Sequence, residues 1–168
     1  YIKQLYFNHP YICLCIFVLC PIIFAGTWFF FGMITILNKK INCVVKSKLI
    51  GNRMIQYSKF IYNSKNVMFV NVHLSPGENK KDKRLKEIQE IIKFCEDDDI
   101  IILAGDFNDT PDSNVSTYLK NNEFKSCVNE FAGEDLHTYP SDKPIKCIDF
   151  VWVKGKDVKI KNALIFGS

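Results

Sequence analysis

The sequence predicts an α/β fold, and three observations carry that prediction. Residues 66–74 alternate in the manner of a strand, residues 82–96 repeat apolar side chains at helical spacing, and Ile100-Ile101-Ile102-Leu103-Ala104 is a short apolar run. Strand, crossover helix and strand in that order is a βαβ-like arrangement, which favours a parallel pair although an antiparallel one also fits. The chain has 168 residues and 48% hydrophobic content, enough for one domain with a substantial core. No internal repeat or low-complexity linker divides it.

Residues 11–37 contain no charged side chain, and Lys39-Lys40 follow as a basic flank. The run exceeds the about 20 apolar residues that a membrane helix needs. Pro21, Gly26 and Gly32 interrupt it, however, and Thr27-Trp28-Phe29-Phe30-Phe31 suits a buried strand equally well. Residues 1–31 therefore form an apolar segment that fits either a membrane helix or core strands, with membrane association through residues 11–31 as one expectation. A cleaved signal peptide fits less well, because the run is long and lacks a clear small-residue cleavage site. The first residue is Tyr1 rather than Met, which reads as a fragment or a processed product.

Within residues 66–74, Val67, Phe69, Asn71 and His73 face one way, and Met68, Val70, Val72 and Leu74 face the other. Asn71 and His73 thus share a face. Ser75-Pro76-Gly77 ends the strand. Lys80-Lys81-Asp82-Lys83-Arg84 then reads as the solvated start of a helix whose apolar side carries Leu85, Ile88, Ile91, Ile92 and Cys95. Beyond Ala104, Asp112 or Ser113 can cap a short helix through Leu119 that stops at Asn121-Asn122. Two further strands are expected at residues 147–153 and 158–166, joined as a hairpin at Gly155.

The formal net charge of +4 is mild. It permits an anionic substrate such as a phosphate ester without selecting nucleic acid. The seven cysteines form no Cys-x-x-Cys pair and no zinc-like grouping with His9, His73 or His137. Buried thiols in an intracellular reducing compartment explain them, and Cys95 and Cys147 both fall on apolar faces.

Four residues stand out as carriers of chemistry. Asp106 and Asn108 follow the apolar run directly, in Gly105-Asp106-Phe107-Asn108-Asp109-Thr110-Pro111-Asp112-Ser113. Beyond the end of a strand, an aspartate can hold a divalent cation or orient a water, and an amide can donate to a phosphoryl oxygen. The same two residues also suit a plain Asx turn before Pro111. His73 is polar in an otherwise apolar strand and fits either a functional imidazole or a half-exposed strand end. Asp149 lies inside Cys147-Ile148-Asp149-Phe150-Val151-Trp152-Val153. An unpartnered carboxylate buried there costs several kcal/mol, so Asp149 either faces water or has a partner, for which a histidine imidazole is the natural choice.

Asn71-Val72-His73-Leu74, Gly105-Asp106-Phe107-Asn108 with Pro111 and Ser113, Thr138-Tyr139-Pro140 and Ile148-Asp149-Phe150 occur in this order. Together they resemble the C-terminal half of the endonuclease/exonuclease/phosphatase superfamily. His-Leu after the strand, Asp-x-x-Pro-x-Ser and Tyr-Pro before Ile-Asp look more like its sphingomyelinase-like or deadenylase-like branches than its abasic-site endonucleases, which tend to carry Asn where His73 stands.

The resemblance implies part of a two-sheet α/β sandwich with helices outside, and hydrolysis of a phosphoester that depends on Mg2+ or Mn2+. It gives His73 to the scissile phosphate, Asp106 to the attacking water, Asn108 to the developing phosphorane charge, and Asp149 to a catalytic histidine. Asp106 and Asn108 are the metal-binding pair. The implied substrates are nucleic acid, or a phospholipid or inositol phosphate.

Two departures accompany the resemblance. The family's Ser-Asp-His triplet, which supplies that histidine, would begin at Gly167-Ser168, and its early Asn and metal-binding Glu have no match. Residues 32–168 are thus read as a partial domain lacking the N-terminal half and the final strand. Gly32-Met33-Ile34-Thr35-Ile36-Leu37-Asn38-Lys39 resembles a family strand, which puts residues 29–37 in a strand. The competing expectation is a membrane-attached, catalytically inactive relative that keeps the fold as a binding module. The sequence leaves the oligomeric state open.

Overall fold

A computed structural model of the chain describes residues 14–22, 30–37, 42–134, 136–140, 142–160 and 163, the first two stretches as backbone. Eight strands are present among these: β1 (Leu14–Ile22), β2 (Phe30–Leu37), β3 (Lys46–Ile50), β4 (Arg53–Tyr62), β5 (Lys65–His73), β6 (Ile100–Asp106), β7 (Lys125–Ser126) and β8 (Asp149–Gly155). A short 3-10 turn (Glu78–Lys80) precedes α1 (Lys81–Cys95), and α2 (Asn114–Asn121) and α3 (Cys127–Ala132) follow β6 and β7.

Six strands form one mixed sheet in the order β3-β4-β5-β6-β8-β7, and β1 and β2 pair antiparallel in a second. The second sheet approaches the first along β6, β4 and β5. Residues 14–22, inside the apolar segment, are therefore strand. No helix among the described residues is long and apolar enough to cross a membrane.

The parallel pair foreseen in the βαβ-like pattern is β5 with β6, joined by α1; the other contacts within the large sheet are antiparallel. Because side chains alternate, each of these central strands feeds two cores. On the helix side, Met68, Val70 and Val72 of β5, Leu74 just beyond it and Leu103 of β6 pack with Ile88, Ile91 and Cys95 of α1 and Val115 and Leu119 of α2. On the other side, Val67, Phe69, Ala104, Val151 and Val153 form the second cluster. Leu85 and Ile92 complete the α1 contact at its margins.

Helix α2 begins where its capping signal stands: the Ser113 hydroxyl accepts the Ser116 amide at 3.2 Å. The helix start at α1 departs from the solvated reading at one position. Lys80, Lys81 and Asp82 are exposed, but Arg84 is 2% exposed. Four residues before Ile88, it lies on the buried stripe, and an ion pair rather than water receives its charge. Strand β8 begins two residues later than expected, at Asp149. Residues 158–160 are not strand, and the rest of the expected hairpin partner lies outside the described residues apart from residue 163.

Cys43, Cys95, Cys127 and Cys147 are free thiols, the last three buried. Burial, with a contribution from Asp98, pushes the Cys95 thiol up to about 12, and burial does the same for Cys127. In a peptide-mapped alkylation of the native chain, Cys43 should react first among these four, and Cys95 and Cys127 only after denaturant is added.

Gly105 is the tightest point of the central sheet. Its φ is 138°, and a Cβ built on it would lie 2.0 Å from the Val72 carbonyl oxygen of the neighbouring strand. Only glycine fits such an approach. Gly105→Ala should destabilise the chain by roughly 3 kcal/mol or more, read as a lowered midpoint in urea unfolding.

Candidate active site

The register of the central strands brings three distant residues into one row. His73 at the end of β5 is opposite Asp106 at the end of β6, and Asp106 is opposite Asp149 at the start of β8. Residues directly opposite share a face, so all three project from the edge of the sheet on the side away from α1 and α2. His73 Nε2 lies 3.9 Å from Asp106 Oδ2. That is too long for a direct hydrogen bond, and it is a span that a water can bridge by accepting from the imidazole and donating to the carboxylate.

Asn108, the fourth predicted residue, joins this row by folding back on it. With φ 49°, in the left-handed region that asparagine tolerates, it donates its backbone N–H to Asp106 Oδ1 at 2.7 Å. Its side-chain amide donates from Nδ2 to the Leu74 carbonyl at 3.0 Å. The Asx-turn reading and the site reading therefore describe the same turn: the Asp106 carboxylate caps the Asn108 amide while Oδ2 faces His73.

Several supports of this row are absent from the sequence reading. Arg53, at the start of β4, donates from Nε to the His73 carbonyl at 2.7 Å and from Nη2 to the Leu74 carbonyl at 3.0 Å. The Leu74 amide donates to the Asp106 carbonyl at 2.9 Å. Thr138, 4% exposed, accepts the Ile148 and Asp149 amides on its hydroxyl at 3.1 and 3.2 Å. Below them, Glu87 accepts the Ser75 amide and hydroxyl at 2.9 and 2.6 Å. Arg84 pairs with Asp109 at 2.9 Å and also donates to the Ser75 and Gly77 carbonyls.

One signal in the sequence points to the last two. Arg84 and Glu87 fall on the helical stripe of Ile88, Ile91 and Cys95, where a charge must be paired. Arg53 gave no such signal, since its partners are main-chain carbonyls about 20 residues away.

Burial and the Arg53 charge hold the His73 imidazole below its ordinary value of 6.5, against the opposing pull of Asp149 and Glu87. His73 is therefore neutral at pH 7, able to donate from one ring nitrogen and accept on the other.

The donor chemistry of the row suits an oxygen-seeking divalent cation. Asp106 and Asp149 stand opposite each other on adjoining strands, and carboxylates are oxygen donors of the kind such a cation takes. No group of three or more His, Cys, Asp or Glu side chains arranged to hold a metal occurs among the described residues. Mg2+ commonly takes one or two carboxylates and fills its remaining positions with water and substrate oxygens, so Asp106 with Asn108 fits that mode.

A cleft of about 260 Å³ opens beside Asn108, on the helix side of the sheet edge. The buried Arg84–Asp109 pair lies among its walls, and Glu78, Lys81 and Lys146 border it.

A mixed six-stranded sheet flanked by helices, with acid, amide and imidazole gathered at one edge, defines an α/β fold of the endonuclease/exonuclease/phosphatase kind. The chain belongs to that superfamily: residues 15–135 match the model of Endonuclease/Exonuclease/phosphatase family 2. The matched span includes His73, Asp106 and Asn108 and ends before Asp149.

Solved structures of similar fold include TDP2 of Caenorhabditis elegans, with 14% identity over 72% of this chain and 57% of that one, at a TM-score of 0.56. Humanized D. rerio TDP2 matches with 14% identity over 76% of this chain and 59% of that one, at 0.55. The human Nocturnin catalytic domain with bound sulfate anion matches with 15% identity over 70% and 50%, at 0.51. The chain spans about half the length of these solved chains, 57%, 59% and 50% of them in turn. No curated protein sequence matches it.

The lowered His73 value has a sign that can be checked. Between the folded value and 6.5 the unfolded chain binds more protons at this residue. Its contribution to stability is therefore complete above pH 6.5 and is lost as pH falls through the folded value. An NMR titration should place the midpoint of the His73 ring below 6.5, and Arg53→Gln should move that midpoint upward.

Proposed function

We propose that this chain forms part of a metal-dependent phosphoester hydrolase whose substrate is a nucleic acid, a phospholipid or an inositol phosphate. The observation that carries this reading is the row of His73, Asp106 and Asp149 on three adjoining strands, with Asn108 folded against it. Membership of the superfamily supports the same chemistry. Among proteins of similar fold, Nocturnin holds a sulfate anion and D. rerio TDP2 a single-strand DNA product.

In this reading the neutral His73 donates a hydrogen bond to a non-bridging phosphate oxygen. Asp106 uses the carboxylate oxygen that faces His73 to orient the attacking water and take its proton. Asn108 stabilises charge as it builds on the phosphoryl oxygens. Asp106 and Asn108 would also hold a Mg2+ or Mn2+ ion, which would supply Lewis-acid polarisation of the phosphoryl group. Asp149 keeps the local field negative, and its backbone is fixed by the Thr138 hydroxyl. Arg53 acts from behind, by clamping the main chain on which His73 and Leu74 are carried.

The test is Mg2+-dependent hydrolysis of bis(p-nitrophenyl) phosphate by the full-length protein that carries this chain and by its Asp106→Asn variant. The substitution keeps the size of the side chain and removes its charge and basicity. Loss of about 100-fold or more is expected. Activity that survives the substitution, or a full-length protein without metal-dependent hydrolysis, would overturn the assignment.

A further inference from the structure

The large sheet ends at β3, and that edge carries its charge in a regular order. In the strand order β3-β4-β5-β6-β8-β7, β3 pairs with β4 on one side and with no other strand among the described residues. Lys46 to Leu49 are exposed, and Ile50 is buried. The register puts Lys46 opposite Tyr57 and Lys48 opposite Ile55. Both lysines therefore stand on the face that α1 covers, where Ile55 and Tyr57 pack. Leu49 stands opposite Met54 on the other face, and the two are 61% and 52% exposed. The edge thus has a cationic side and an apolar side.

Two hollows follow this edge on the helix side and meet at Phe94. One, of about 370 Å³, is lined by Val44, Lys46, Tyr57, Lys59 and Phe94. The other, of about 330 Å³, has Lys48, Ile50, Glu90 and Lys93 among its walls. Lys59 is committed to Asp98 at 3.0 Å. Of the charges that remain in the two linings, Lys46, Lys48 and Lys93 outnumber Glu90, so the edge is cationic. The two rings are engaged rather than presented. Tyr57 and Phe94 meet edge to face with centroids 5.0 Å apart, and the Lys48 ammonium lies 4.0 Å from the centre of the Phe94 ring. A nucleic acid strand would find cations here without a stacking platform, and it would leave the main-chain N–H and C=O groups of the β3 edge unmatched.

We propose that β3 receives an acidic segment of a partner protein as an added strand, one in which Glu or Asp alternates with apolar residues. Side chains two apart on a strand share a face at a spacing of about 7 Å. Acids at alternate positions of the added strand then fall beside Lys46 and Lys48, and the apolar residues between them fall beside Leu49. The partner's main chain fills the open hydrogen-bonding edge. In a second copy of this chain paired edge to edge, the lysines would meet their own kind, so the charge pattern turns away self-association and admits an acidic partner. Strand β4 separates this edge from the row that holds His73, and the inference does not depend on the phosphoester reading.

The experiment is fluorescence anisotropy of the full-length protein that carries this chain with three labelled probes. They are a peptide of alternating Glu and Val, the same peptide with its central valines replaced by proline, and an oligothymidylate of equal length. Binding of the first at least about tenfold tighter than that of the second is expected, because the proline peptide has the same charge and cannot complete a ladder. Hydrogen exchange read by mass spectrometry should slow over residues 46–50 in the complex. Lys46→Gln combined with Lys48→Gln should weaken binding about tenfold, and Leu49→Asn, at an exposed position, should weaken it several-fold, each with an unchanged thermal midpoint. Equal affinity for the two peptides, tighter binding of the oligothymidylate, protection away from β3, or no binding of the alternating peptide would overturn the proposal.

Discussion

The site depends on the parallel register between β5 and β6, and that register depends on a missing side chain. Gly105 stands opposite Val72, so close that any Cβ would meet the Val72 carbonyl at 2.0 Å. One residue further along each strand, His73 and Asp106 come opposite each other. A shift of one residue would turn Asp106 toward the helices and carry its carboxylate into an apolar core. The antiparallel pairing of β6 with β8 then adds Asp149 to the same row. Three residues spread over the chain meet because two registers agree.

Around the row, charge is used mainly to hold backbone. Arg53 spends two donors on consecutive carbonyls at the end of β5, Glu87 accepts two donors from Ser75, and Arg84 closes on Asp109 and two further carbonyls. A buried ion is tolerable only when its hydrogen-bonding capacity is filled in this way. The gain is rigidity in the turns after β5 and β6, which have no regular ladder to fix them. Side chains held this firmly lose little freedom when a ligand binds. Arg53 has a second effect, since its charge and the burial of His73 both favour the neutral imidazole.

The sequence made the local features legible and left the long-range ones hidden. The alternation of residues 67–74 predicts the two faces of β5 because strand period is a property of neighbours, and the Ser113 cap predicts α2 for the same reason. Asp106 and Asn108 were readable because the apolar run points to them. Pattern alone could not show that Asp149 sits beside Asp106, because strand order and register are set by packing across the sheet. Arg84 reads as solvated in sequence because it closes the charged run Lys80-Lys81-Asp82-Lys83, whose composition hides the helical phase that buries it. The apolar run at the start admitted both helix and strand, as hydrophobic stretches without clear periodicity do. The strand pairing of β1 with β2 was decided by tertiary contact.

Asn108 is where the two faces of the sheet edge meet. The row of His73, Asp106 and Asp149 points toward the second sheet, whereas the cleft opens toward α1 and α2. A chain leaving β6 in extended form would send successive side chains to alternate faces and would keep the two regions apart. The left-handed turn at Asn108 breaks that alternation, returning its N–H to Asp106 and its amide to Leu74 while its side chain borders the cleft.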